Sequence, residues 1–121
     1  MKIICPKPND FSPEILNFLK RNFICNFRKI NQSEFNKNIK NYDVVLTRFN
    51  NFVPYIKNNK LKYILSPTTG VDHIHPKYFK SKTKIICLKD QFKFLDKINA
   101  TSEFTIYLIL KFLKEVNLNK S

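Results

Sequence analysis

The chain has 121 residues, 43% of them apolar, and a formal net charge of +13 at pH 7. This length and composition predict one globular domain with its own core and exclude an intrinsically disordered chain. Gly70 is the only glycine. The 121 residues therefore contain neither a G-x-G-x-x-G dinucleotide loop nor a P-loop.

The positive charge comes from lysines that are spread along the whole chain, with no basic run longer than two residues. Such spreading is typical of lysines at solvated positions, whereas a nucleic-acid site needs a clustered basic face. We therefore expect no specific nucleic-acid partner. Nonspecific attraction to polyanions stays open as the least favoured interpretation.

Three cysteines at wide spacing, Cys5, Cys25 and Cys87, lie in or beside apolar runs. An odd number at this spacing predicts reduced, buried thiols rather than a disulfide framework. The longest apolar run, residues 104–110, is too short to span a bilayer. The sequence thus predicts a soluble cytoplasmic protein without a membrane segment.

Short apolar runs separated by helix signals alternate along the chain. The predicted strands are residues 2–5, 23–27, 42–47, 62–65 and 84–88. Helices are predicted to start at Ser12 and Ser33, with helical turns across Pro54 and at residues 75–79. This alternation predicts an α/β fold with a five-stranded parallel sheet and helices on both faces.

The last predicted element is a long helix from Asn99 to about Val116, and apolar residues cover most of its circumference. A helix of that kind is normally buried on several sides. A five-stranded domain offers it only one face. We therefore expect a second domain or a second subunit to cover the rest.

Ligands of open parallel sheets bind beyond the carboxyl ends of the strands. The loops at that edge are residues 6–10, 48–51, 66–72 and 89–93. In the loop 66–72, Gly70 permits close approach to the backbone, and the hydroxyls of Thr68 and Thr69 accompany several peptide N–H groups. Either a structural turn or an anion site fits this pattern. His73 and His75 form an H-x-H pair that lacks a third metal ligand at suitable spacing.

Several stretches together resemble the N-terminal part of the D-isomer-specific 2-hydroxyacid dehydrogenases. They are Leu61-Lys62-Tyr63-Ile64, Thr68-Thr69-Gly70-Val71-Asp72-His73-Ile74, Lys84-Ile85-Ile86 and Asn99-Ala100-Thr101-Ser102-Glu103. The last of these precedes the long apolar helix. The resemblance covers the layout of the whole chain and the motifs of residues 61–116.

The resemblance implies a flavodoxin-like substrate-binding domain that binds a small 2-hydroxy or 2-keto acid. Backbone N–H groups of Thr68, Thr69, Gly70 and Val71 would hold the substrate carboxylate, and the loop with Arg48 and Asn50 would line the cleft. Donors and a cation together satisfy a carboxylate.

Two further residues of the loop are interpreted as noncatalytic. Asp72 matches the family's Asp and is expected to brace the loop by hydrogen bonds. His73 stands where the family often has Asn, so it is not interpreted as a catalytic base.

The family uses NAD, but its nucleotide-binding domain and its catalytic Arg, Glu and His have no counterpart in these residues. We therefore expect no catalytic residue and no bound cofactor in this chain. The predicted divisions are a substrate-binding domain (1–98), an interdomain or dimerisation helix (99–117) and a tail (118–121).

The resulting hypothesis is a truncated or split D-2-hydroxyacid dehydrogenase-like protein that is inactive alone. Residues 104–116 would contact a second copy or a nucleotide-binding partner chain. The alternative hypothesis is a nonenzymatic module that uses the C-terminal helix to dimerise or to bind a partner.

Overall fold

A parallel five-stranded sheet forms the centre of the fold in the computed structural model. The described residues are 1–48, 51–57, 59–68, 70–87 and 101–120, and within the last range side chains are described for 108–117. The strands are β1 Lys2–Cys5, β2 Ile24–Phe27, β3 Val44–Leu46, β4 Tyr63–Ser66 and β5 Lys84–Cys87. Their order is β2-β1-β3-β4-β5, and each neighbouring pair is parallel. The predicted α/β, flavodoxin-like sheet is thus confirmed.

Successive residues of each strand point to opposite sides of the sheet, and both sides are buried. Ile3, Val44 and Leu65 pack with α1 (Pro13–Asn22) and the C-terminal helix (Thr101–Lys120). Ile4, Val45 and Ile64 pack with α2 (Gln32–Asn38) and a short 3-10 helix (Pro76–Lys80). Helices therefore cover both faces, as predicted.

The starts of the first two helices are set by side-chain caps. The Ser12 hydroxyl accepts a hydrogen bond from the Ile15 N–H at 3.4 Å, and Pro13 occupies the first helical position, as predicted. The predicted start of α2 at Ser33 is wrong. Asn31 is the cap, because its side-chain oxygen accepts from the Glu34 N–H at 2.8 Å and so satisfies a helix-terminal donor.

The predicted helical turn across Pro54 is also wrong, because this segment is extended. The Val53 N–H donates to the His73 carbonyl at 2.7 Å, and the His75 N–H donates to the Val53 carbonyl at 3.0 Å. The Gln32 side chain donates to the Phe52 carbonyl at 2.7 Å and accepts from the Phe52 N–H at 3.0 Å. These contacts and the proline's restriction of Val53 favour extended backbone.

The C-terminal helix spans 20 residues, Thr101–Lys120. Leu108, Ile109, Phe112 and Val116 are buried against the sheet, whereas Leu110 is 59% exposed. Polar residues occupy four of the ten positions between 108 and 117, namely Lys111, Lys114, Glu115 and Asn117, so an apolar surface around most of the helix is not confirmed there. The side chains of 101–107 and the predicted start at Asn99 lie outside what the structure describes. Among the described residues, no helix combines the length and apolar character needed to cross a bilayer.

The three cysteines are free thiols, as predicted, although only Cys5 is fully buried. Desolvation raises the pKa of Cys5 to about 12 and that of Cys25 to about 11. Both thiols therefore stay protonated at neutral pH and are poor nucleophiles.

Candidate functional site at the carboxyl edge of the sheet

The loops after β1 and β3 meet at the carboxyl edge of the sheet. The chain passes from β1 to β2 on one side and then returns to place β3 on the other side, so the strand order reverses between β1 and β3. Arg48 follows β3, and its guanidinium carbon lies 5.5 Å from the centroid of the Phe11 ring, which follows the β1 loop. Arg48 thus lies where open α/β sheets bind ligands.

The loop after β4 is the direct neighbour of the Arg48 loop. Leu46 and Leu65 are partners in the register of β3 and β4. The Thr47 N–H then donates to the Leu65 carbonyl at 3.0 Å, one residue beyond the end of β3. The segments that begin at Arg48 and after Ser66 therefore leave the sheet side by side, at the same edge, as the sequence predicts.

A chain of hydrogen bonds closes the base of the loop 66–74. The His73 Nε2 atom lies 2.7 Å from the Ser66 Oγ, which lies 2.9 Å from the Thr68 Oγ1. The Thr68 hydroxyl donates in turn to the Gly70 carbonyl at 2.8 Å. These four residues are called the His73 relay below.

The number of hydroxyl hydrogens determines which atom donates in each hydrogen bond of the His73 relay. The only hydroxyl hydrogen of Thr68 goes to Gly70, so the Ser66 hydroxyl donates to Thr68. Ser66 must then accept its remaining hydrogen bond from His73. We assign a hydrogen to His73 Nε2 on this basis. All three hydrogen bonds point the same way, an arrangement in which neighbouring bonds strengthen one another.

The Ser66–His73 pair has the distance of a serine nucleophile and its base. Three features argue against that role. The Ser66 side chain is 0% exposed, and its hydroxyl is already committed to Thr68. His73 also acts here as the donor, whereas a base must accept the nucleophile's proton. The pair is therefore structural.

The His73 relay sets the geometry of the predicted carboxylate loop. Thr68 is 6% exposed, and its N–H donates to the Ser66 carbonyl at 2.7 Å. Both Thr68 donors thus have partners inside the loop, so Gly70 and Val71 are the better candidates for N–H groups that meet a ligand. Asn50 and Thr69, two other predicted site residues, lie outside the described residues.

The histidine rings have protein partners rather than forming a recognisable metal site. The His75 Nδ1 accepts from the Lys77 N–H at 3.1 Å, while His73 contacts Ser66. The described residues contain no group of three potential metal ligands. Asp72 is exposed, and its predicted bracing role stays a prediction.

A cavity of about 220 Å³ lies beyond the carboxyl ends of β1 and β2 and was not singled out from the sequence. Its lining residues are Lys7, Pro8, Asn9, Asp10 and Lys29. Lys7 and Lys29 are 22 positions apart in the sequence, so only the pairing of β1 with β2 brings them to one cavity. The cavity thus has two lysines and one aspartate, Asp10, in its lining, and Arg48 lies at the same edge of the sheet.

Burial lowers the pKa of His73, while the nearby carboxylate of Asp72 acts in the opposite direction. The unfolded chain therefore binds a proton on this histidine more readily than the folded chain. We expect the free energy of unfolding to fall as the pH drops below about 6.5, the ordinary histidine pKa. Above that pH, ionisation of His73 should no longer change the stability.

Urea unfolding of the wild type and of His73→Gln at several pH values between about 7.5 and 5 tests this expectation, because glutamine does not titrate there. The pH dependence should shrink in His73→Gln. An identical dependence in both proteins would show that His73 is not its source.

The comparisons with known proteins bear on the fold alone. No protein-family profile matches the chain, and no curated protein matches it. A solved structure, the crystal structure of the PH0520 protein from Pyrococcus horikoshii OT3, matches with a TM-score of 0.62 at 16% sequence identity. The match covers 71% of this chain and 27% of that chain, so this chain spans about a quarter of the structure that it resembles.

Proposed function

We propose that this chain is the substrate-carboxylate-binding part of a D-2-hydroxyacid dehydrogenase-like oxidoreductase. The observation that carries the proposal is the placement of Arg48 beside the loop 66–71 at the carboxyl edge. In this proposal the Arg48 cation and the backbone N–H groups of Gly70 and Val71 act on one ligand. This is the donor set that a carboxylate requires.

The hydrogen bonds within the loop support the proposal. A carboxylate site gains affinity when its donors are held in place before the ligand arrives. The His73 relay contributes to this, since its three hydrogen bonds join Ser66, Thr68 and Gly70 to His73. The cationic side chains of Lys7 and Lys29 add attraction for an anionic substrate.

The reaction of the family transfers hydride between the hydroxyl-bearing carbon of the substrate and NAD. The β1 loop of this chain does not fit that cofactor. Pro6 and Pro8 have no N–H, and α1 begins only at Pro13 after a separate 3-10 turn, so no glycine turn leads from β1 into a helix N-terminus. We propose that these residues bind and orient the acid, and that NAD is held by another domain or chain.

The alternative, a module that uses its C-terminal helix to bind a partner, stays a prediction. Within residues 108–117, the apolar side chains that are buried pack on the chain's own sheet.

An NMR titration of the 121-residue protein with pyruvate and, separately, with lactate tests the proposed binding. The amide resonances of Gly70 and Val71 should shift in a saturable manner. Acetamide, which lacks the carboxylate, is the matched control ligand and should shift neither resonance. Equal shifts with acetamide, or none with either acid, would refute a carboxylate site at this loop.

An activity assay tests the proposal that this chain binds the acid while NAD is held by another domain or chain. With NAD and a 2-hydroxy acid the isolated chain should form no NADH. Turnover above the rate without protein would contradict the proposal that NAD is held elsewhere.

A further inference from the structure

A group of aromatic side chains lies on the side of the sheet that α2 covers. The Tyr55 surface, as we name it, comprises Phe52, Tyr55, His75 and Lys77 together with the cavity described next. The Tyr55 ring centroid is 6.0 Å from that of His75, and Phe52 approaches His75 edge-on at 6.3 Å. Phe52 and Tyr55 are 43% and 38% exposed. Their rings are therefore held in place by neighbours and still reach solvent.

A cavity of about 210 Å³ adjoins the Tyr55 ring. It is lined by Tyr55, Asn59, Leu61, Ser81, Lys82 and Thr83. Leu61 lies two residues before the start of β4, and Thr83 immediately precedes β5. The cavity therefore lies at the amino edge of the sheet, whereas Arg48 and the carboxylate loop lie at the carboxyl edge. It is a separate location from the site proposed above.

Lysines outnumber acidic residues in the segments that form the Tyr55 surface. The Lys77 ammonium lies 5.5 Å from the centroid of the Tyr55 ring, and Lys82 lines the cavity. The exposed lysines in the segments that form this surface are Lys57, Lys60, Lys77, Lys80 and Lys82. Between residues 44 and 87 the sequence contains a single acidic residue, Asp72. The fold thus gathers lysines that look evenly spread in the sequence.

The polar groups of the cavity are mostly used by the protein itself. The Thr83 hydroxyl donates to the Leu61 carbonyl at 2.7 Å. The Asn59 side chain donates to the Ile56 carbonyl and accepts from the Leu61 N–H at 3.0 Å. Few hydrogen-bonding groups of the cavity are therefore left to distinguish one ligand from another. The surface offers ring faces and positive charge rather than a specific hydrogen-bonding pattern.

We propose that the Tyr55 surface binds single-stranded nucleic acid without sequence preference. Proteins that do so combine aromatic rings, on which bases stack, with cations that follow the phosphates. Here Phe52 and Tyr55 supply the rings, Lys77 contacts the Tyr55 ring, and Lys82 lines the cavity that Tyr55 also lines. Charge complementarity favours this occupant over a second copy of the chain, because two such basic surfaces would repel each other.

Fluorescence anisotropy with a labelled oligothymidylate tests the charge requirement. The double variant Lys77→Gln/Lys82→Gln should bind at least about fivefold more weakly than wild type, with a salt slope smaller by about 1.4, or roughly 0.7 per phosphate contact. The control Arg21→Gln/Lys114→Gln removes two exposed charges from the helices on the opposite face. It should bind nearly as wild type. If both double variants bind equally more weakly than wild type, the loss reflects the overall charge of the protein, and the proposal is overturned.

The ring requirement is tested in the same assay. Tyr55→Leu and Phe52→Leu keep apolar bulk but remove the stacking faces, so each should weaken binding about fivefold or more. Phe18→Leu is the control, since Phe18 is 36% exposed on α1. Thermal unfolding verifies that each variant is folded. Undiminished binding by a folded Tyr55→Leu/Phe52→Leu double variant, or no binding by wild type, would overturn the proposal.

Discussion

Arg48→Gln is expected to weaken the binding of a 2-keto acid by a factor of about 10 to 100. A hydrogen bond to a charged group contributes roughly 1.5–3 kcal/mol, and glutamine supplies neither the charge nor the two parallel donors of arginine. The Phe11 ring beneath the guanidinium holds it at the switch point of the sheet. Calorimetric or NMR titration with pyruvate measures the change in dissociation constant.

Two further variants make the Arg48 result specific. Arg21→Gln removes an exposed arginine from α1 and should bind pyruvate as the wild type does. Arg48→Lys should recover only part of the affinity, because an ammonium keeps the charge but lacks the planar fork. If Arg48→Gln binds pyruvate as tightly as wild type, Arg48 has no part in carboxylate binding.

Phe112→Ala is expected to lower the free energy of unfolding by about 3–5 kcal/mol, the usual cost of deleting a buried phenylalanine ring. Phe112 is 0% exposed and joins the C-terminal helix to the sheet. Its ring centroid lies 5.3 Å from that of Tyr63 in an edge-on contact and 5.6 Å from that of Phe23. Since small domains are stable by only about 5–15 kcal/mol, this loss is large. Urea unfolding measures it.

Leu110→Ala is the matched control on the same helix. Leu110 is 59% exposed, so the substitution removes little buried surface and should change stability by at most about 0.5 kcal/mol. A similar loss in Leu110→Ala and Phe112→Ala would mean that the helix does not pack on the sheet through Phe112.

The strands could be predicted because their signals are local. Each buried strand is a short apolar run, and side chains that alternate between two covered faces are apolar at consecutive positions, as in Ile3 and Ile4 or Val44 and Val45. The Ser12–Pro13 start of α1 was equally local. From these elements the sheet, the two helical layers and the edge that carries Arg48 and Gly70 all follow.

The departures occurred where distant residues compete with a local preference. The segment around Pro54 is extended because Val53 pairs with the chain at His73 and His75, about 20 residues later. Gln32, which no local pattern singles out, binds the backbone of Phe52. Such pairs depend on which segments the sheet brings together, and that is not encoded by spacing.

By itself, the sequence determined the parallel sheet and the place of the candidate carboxylate loop, because hydrophobic period and proline positions are properties of short segments. Only the tertiary structure decided what holds that loop and where the charges gather. The Ser66–His73 bond forms because the loop folds back on the end of β4. Lysines spread along the chain come together around Tyr55 because the segments that carry them pack on one face. Hydrogen bonds and electrostatic fields act through space, so their partners are set by the fold.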